Sequence, residues 1–178
     1  MANFELVEKA PLGNYVRSIA GVTITEVPDL NILSIATPLG GEAKRDAALK
    51  KLGFDPATPG TSFAKGNLRL VGMASDQHFL LAENGELPNL PDVYTTDQTH
   101  NWVAIRAEGE NLWLAMERLC MLDLHPDVCS KDDALRFDIE TMYTVMVKED
   151  AKKILLLAAS SSAGSFLHAL ETSLIAIA

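Results

Sequence analysis

A chain of 178 residues with 48% hydrophobic and 22% charged residues can bury a substantial core, which excludes a disordered chain. Its 24 acidic residues against 15 basic ones give a net charge of −9 at pH 7. That balance argues against nucleic-acid binding, which needs clustered positive charge to release phosphate counterions. Two cysteines, Cys120 and Cys129, are too few for a disulfide framework and suit a reducing, cytoplasmic setting.

Residues 1–11 carry Glu5, Glu8 and Lys9 and lack the basic-then-apolar order of a signal peptide. Residues 22–27 and 31–36, rich in β-branched side chains, read as a first extended pair around the turn-like Pro28-Asp29-Leu30. A helix is predicted over 42–52, where Ala43, Ala47, Ala48 and Leu52 fall near helical spacing and Gly53 stops it. Pro56, Pro59, Gly60 and Gly66 mark a loop, followed by strands at 68–71 and 78–81 joined across 72–77. A second loop, 83–91, holds Gly85, Pro88 and Pro91.

The order then returns. Residues 101–107 read as a strand, and 110–121 as a helix with Leu112, Ala115, Met116 and Leu119 on its apolar side. A single extended run is expected over 135–147 and a further strand over 153–158. A closing helix over 162–175 turns Phe166, Leu167, Leu170 and Leu174 inward, with Ser160, Ser161 or Ser162 available as its cap. The uncharged stretch 154–170 is at the short limit for a bilayer span and rich in serine, so it reads as buried strand and helix, not membrane.

Strand–helix–strand–strand therefore occurs twice, without sequence identity between the repeats. The fold class expected is α+β, built as tandem split βαβ (ferredoxin-like) halves with helices covering one side of mostly antiparallel sheets. The halves run over 20–92 and 93–178, the second with the closing helix.

Catalytic constellations are not found in the sequence. Gly72-Met73-Ala74-Ser75 and Ala163-Gly164-Ser165 have the wrong spacing for a nucleophile elbow, and the 60–66 loop places Lys65 before its last glycine, unlike a Walker loop. Gly40-Gly41 before a helix reads as a turn rather than an anion cradle. Cys120, Asp123, His125 and Cys129 are residue types that zinc accepts, but no Cys-x-x-Cys or His-x-His pair accompanies them. His78, His100 and His168 are scattered, and Trp102 and Trp113 are not interleaved with basic residues. No catalytic, cofactor-binding or metal-binding residue is assigned.

One stretch is distinctive: Leu119-Cys120-Met121-Leu122-Asp123-Leu124-His125-Pro126. It resembles the "CPLDLHP" signature of the sarcosine oxidase gamma subunit, with Met121 where proline is usual. Leu68 to Gly72 followed by His78 to Leu81 is similar to the family's "LWLGPDEWLLL" segment, lacking its Pro and Trp. Gly109 matches the glycine of its "SGPxAxxxL" stretch, and residues 162–170 resemble its final serine-capped helix. The resemblance covers about residues 20–172. The Phe-x-x-Gly after the signature and the Arg-Ser before the last helix are replaced here.

The resemblance implies a fold like the folate-binding aminomethyltransferase of glycine cleavage. It also implies a complex that oxidises sarcosine to glycine with oxygen, releasing peroxide and passing the one-carbon unit to tetrahydrofolate. FAD, FMN, NAD, zinc and tetrahydrofolate would reside on the alpha, beta and delta subunits, and none on this chain. At the signature turn, Asp123 is expected to accept amide hydrogen bonds and Pro126 to bias His125 toward an extended exit. Leu124 and His125 complete a turn that is either a rigid corner or a subunit contact. The first reading is a non-catalytic gamma subunit in the cytoplasm; the alternatives are a free-standing folate- or one-carbon-binding module and an oligomeric protein without ligand.

Overall fold

The computed structural model describes residues 9–125 and 127–178. In chain order these form β1 (Val16–Ile19), β2 (Val22–Glu26), β3 (Leu30–Ala36), α1 (Glu42–Leu52), β4 (Ser62–Lys65), β5 (Leu68–Ala74), β6 (Gln77–Glu83) and β7 (Tyr94–Asp97). There follow β8 (Trp102–Gly109), α2 (Leu112–Met116), β9 (Ala134–Ile139), β10 (Met142–Asp150), β11 (Lys153–Ala159) and α3 (Ala163–Ile175). The strands make two sheets, ordered β1-β2-β8-β11-β10-β9 and β4-β5-β6-β3-β7, with antiparallel neighbours.

Strands such as Lys-Ile-Leu-Leu-Leu-Ala-Ala at β11 are almost continuously apolar because both of their faces are buried. Side chains alternate across a strand, so one run serves two cores. Val71, Met73, Phe79 and Leu81 of one sheet face Val145, Val147, Leu155 and Leu157 of the other. On the far side of the smaller sheet, Leu33, Ile35, Leu70 and Leu80 pack against Ala48 and Leu49 of α1. Met146, Ile154 and Leu156 lie under Leu112, Met116, Phe166 and Leu170 of α2 and α3. The molecule is thus α+β in four layers, helix, sheet, sheet, helix, with each sheet's uncovered face closed by the other sheet.

An internal two-fold relation is visible in the backbone. The central order β5-β6-β3-β7 corresponds to β10-β11-β8-β2, and both are the spatial order of a split βαβ unit. The sheets meet where Ala134 N donates to Gly60 O at 2.8 Å and Ser62 N to Asp132 O at 2.7 Å, each residue 72 positions from its counterpart (60 to 132, 62 to 134). Gly60 and Asp132 both adopt left-handed backbone, with φ of 91° and 70°. Likewise Val27 N donates to Ala104 O and Gln98 N to Ile32 O. Neither sheet is drawn wholly from one side of residue 92: β2 lies beside β8, and β7 closes the edge beside β3.

That exchange corrects the expected first pair. The 22–27 and 31–36 segments are β2 and β3, but they lie in different sheets. The Val27 amide is captured by β8 before the Pro28-Asp29 turn carries the chain across. The loop expected from Pro56 to Gly66 contains β4, and β1 and β7 are further strands whose mostly exposed residues leave no alternation to read. The single run over 135–147 is the β9–β10 hairpin, in which Ile139 pairs with Met142 and Glu140 takes φ of 56°. No Gly or Asn-Gly marks that turn. The second helix stops at Met116 instead of Met121, its exit tightened by the Leu119 amide donating to Met116 O at 2.9 Å. None of the three serines caps α3 through its side chain; Ser160 Oγ instead donates to His100 O.

Two features lock the inner layer. Gly72 of β5 lies so close to the preceding loop that a Cβ there would fall 2.1 Å from Thr58 O. At the layer's end, Arg106 of β8 binds two carboxylates at once. Its Nη1 and Nη2 reach Glu83 of β6 at 2.9 and 2.8 Å, and its Nε and Nη2 reach Glu149 of β10 at 2.7 and 3.0 Å. One guanidinium thereby joins both sheets with forked, charge-assisted bonds. Arg106 holds the Glu83 carboxyl below its usual pKa. The sign follows: that stabilisation is present above the unfolded carboxylate pKa and is lost as pH falls through the folded one. Arg106→Met should cost about 2–3 kcal/mol, less than a fully buried pair, because Glu83 keeps 37% of its side-chain exposure. Urea melts should show the loss at pH 7 and a shallower acid dependence between about pH 5 and 3.

Candidate functional site: the signature turn and the β9 edge

The distinctive segment begins where α2 ends. Cys120 is buried, and its Sγ accepts the Leu122 amide at 3.3 Å. Asp123 Oδ1 accepts the His125 amide at 2.9 Å, an Asx arrangement that holds the chain out of helix. Leu124 is 2% exposed and enters the core beneath α2 and α3. The His125 carbonyl then accepts the Val128 and Cys129 amides at 2.9 and 2.8 Å, closing the next turn. Pro126 lies outside the described residues, so its expected bias on His125 is not seen here.

The segment is tied to β10 by a buried lysine. Lys148 Nζ donates to the Cys129 carbonyl and stands 4.7 Å from the Trp113 ring centroid, over its face. Its backbone pairs with residues 132 and 133, Asp132 N donating to Lys148 O at 2.8 Å and Lys148 N to Asp133 O at 2.9 Å. Asp132 is held in turn by Arg69, whose Nη1 reaches Oδ1 at 2.7 Å.

The chemistry of these side chains is that of a corner. Burial pushes both the Cys120 and Cys129 thiols up, away from the thiolate that would attack or bind metal. Among the described residues no cluster of three or more His, Cys, Asp or Glu is arranged to hold a metal ion. The His125 side chain remains largely in solvent, with Nδ1 3.4 Å from Asp127 Oδ2. The outside of the corner is apolar: Met121 is fully exposed, Val128 is 61% exposed and Leu122 41%. Beside it runs a groove of about 560 Å³ along β9, lined by Leu122, Leu135, Phe137 and Tyr143 and walled by Pro59.

Three residues with defined roles escaped the sequence reading. Arg106 and Lys148 are two; the third is Glu26, which continues the buried face of Val22 and Ile24 on β2. Its carboxylate accepts the amides of Leu12, Asn14 and Tyr15 at 2.8, 2.7 and 3.2 Å. A carboxylate two positions after Ile24 on an apolar strand face was the available signal. Glu26 borders a cavity of about 1010 Å³ that also meets Trp102, Ile32 and Asp29, but its oxygens are already committed to those amides.

The scattered histidines occupy different places. His78 is 1% exposed beneath α1, its Nε2–H donating to Ala57 O at 2.9 Å, and its Nδ1 has no partner among the described residues. His100 and His168 sit elsewhere, at the surface. Burial lowers the His78 pKa from its ordinary 6.5. The unfolded chain therefore takes up a proton near pH 6.5 that the folded chain refuses, and stability falls as pH drops from that value. Thermal melts between about pH 7.5 and 5 should show this slope, and His78→Leu should lack it. At the turn, Asp123→Ala should lower stability by about 0.5–2 kcal/mol, and Leu124→Ala by about 2–5 kcal/mol; equilibrium denaturation measures both.

No family model matches the chain, and no curated protein matches it in sequence. Among solved structures it is similar to a chain of the heterotetrameric sarcosine oxidase from Corynebacterium sp. U-96. That match has 20% identity and a TM-score of 0.81 and covers 96% of each chain. It is also similar to the glycine cleavage system aminomethyltransferase T from Bartonella henselae, at 11% identity and a TM-score of 0.60, over 85% of this chain and 46% of that one. The chain therefore has the aminomethyltransferase-like fold, in the end-to-end form also taken by a chain of a heterotetrameric sarcosine oxidase.

Proposed function

We propose that this chain is the gamma subunit of a heterotetrameric sarcosine oxidase and that it serves assembly rather than chemistry. The observation that carries the reading is the likeness to a chain of a heterotetrameric sarcosine oxidase over 96% of each chain, at a TM-score of 0.81. The "DLHP" resemblance at Asp123 to Pro126 points the same way from sequence. The signature residues support a contact role: Asp123 and Leu124 fix the corner, while Met121, Leu122 and Val128 present an apolar exterior.

In this reading the alpha, beta and delta subunits carry FAD, FMN, NAD, zinc and tetrahydrofolate. The complex converts sarcosine and oxygen to glycine and peroxide, with the methyl carbon passed to tetrahydrofolate. This chain contributes shape. Its two thiols are held protonated in the core, and the carboxylate of Glu26 is engaged by backbone amides. The setting of such a complex is the cytoplasm, and no described helix is long and apolar enough to cross a membrane.

Co-expression with the large subunits from the same source tests the proposal directly. The chain should co-purify in a complex whose mass matches one copy of each subunit. Alone, given sarcosine under oxygen, it should release no peroxide. Failure to associate, together with tight folate binding by the isolated chain, would instead make it a free-standing one-carbon module.

A further inference from the structure

We infer that the β9 edge is a self-complementary docking strand, and that a second copy of this chain pairs with it through residues 136–138. β9 ends the six-stranded sheet, so among the described residues one side of its backbone has no neighbouring strand. Which groups point outward follows from the ladder. Lys148 N bonds Asp133 O, so Leu135 and Phe137 repeat that inward direction and bond β10. Ala134 faces the other way, and its amide is taken by Gly60 O. Arg136 and Asp138 share the direction of Ala134, two and four residues beyond the point where Gly60 covers the edge.

The sequence of that open stretch names its own partner. A strand laid antiparallel along Arg136-Phe137-Asp138 satisfies it with an acid opposite Arg136, an apolar residue opposite Phe137 and a base opposite Asp138. Read in reverse, Arg136-Phe137-Asp138 is that strand. A two-fold axis through Phe137 sets Arg136 of each copy against Asp138 of the other, and the outward amides and carbonyls of both residues meet as bonded pairs. The groove along β9 and the half-exposed Tyr143 and Leu122 supply apolar surface beside the junction. The charge pattern also limits pairing: a shift of one residue loses both charge pairs, which guards the edge against indiscriminate association. The pairing is inferred for the chain free of other subunits, as distinct from the complex with one copy of each subunit proposed above.

Sedimentation of the full chain from about 10 µM to 1 mM should show a reversible monomer–dimer equilibrium. Arg136→Glu sets acid against acid, Asp138→Arg sets base against base, and each should weaken dimerisation at least about tenfold. Both side chains are exposed, so melting temperatures should not move. The double change Arg136→Asp with Asp138→Arg restores opposite charges across the axis and should bring the dissociation constant back to within about threefold. A chain that remains monomeric throughout overturns the inference. So does a dimer indifferent to both single changes, or a double change that restores nothing. A monomer that uses residues 136–138 only to bind another subunit would assign the edge to that subunit instead.

Discussion

The face-to-face contact of the two sheets is the constraint on which the rest of the molecule depends. Val71, Met73, Phe79 and Leu81 can leave water only if Val145, Val147, Leu155 and Leu157 cover them. Helices already occupy the opposite faces, so neither sheet can turn over to hide its inner residues. Arg106 closes the end of this layer by satisfying Glu83 from one sheet and Glu149 from the other. The same guanidinium fixes how far the sheets slide past one another, because two forked pairs tolerate little displacement.

Strand exchange makes the two units inseparable. β2 completes the sheet that follows it in sequence by many residues, while β7 completes the one formed earlier. Each unit thus lends the other its fourth strand, and the two-fold bonds at Gly60 and Ala134 and at Ser62 and Asp132 join them again at the opposite corner. Left-handed backbone at both Gly60 and Asp132 shows that the corner geometry is required twice, once met by glycine and once by aspartate. Asp132 holds that conformation with its side chain engaged by Arg69.

The signature segment gains its form from this frame. Leu124 fills the helix-side core, Lys148 anchors the Cys129 carbonyl, and His125, Asp127 and Val128 are turned toward solvent. A short apolar exterior on a rigid corner is suited to contact with another protein surface, since little order has to be gained on docking. The buried thiols and the committed Glu26 carboxylate fit the same picture of side chains employed in holding shape.

Local pattern determined a good deal. Apolar runs at 68–71, 78–81 and 153–158, the helical spacing of 42–52 with Gly53, and the apolar face of 162–175 marked central elements, because these segments are buried whatever their neighbours are. The amide acceptance expected of Asp123 was legible because its Oδ1 needs only the His125 amide two residues away. What only the tertiary structure decided involves partners distant in sequence. β1, β4 and β7 are edge or near-edge strands with exposed residues, and they become strands through the backbone groups that neighbours offer. Likewise, Val22 to Glu26 reads identically whether it pairs with β3 or β8; the Ala104 carbonyl waiting for the Val27 amide settles the matter. Arg106, Lys148 and Glu26 acquire their roles in the same way, since a buried charge has meaning only once the fold has brought its counterpart within reach.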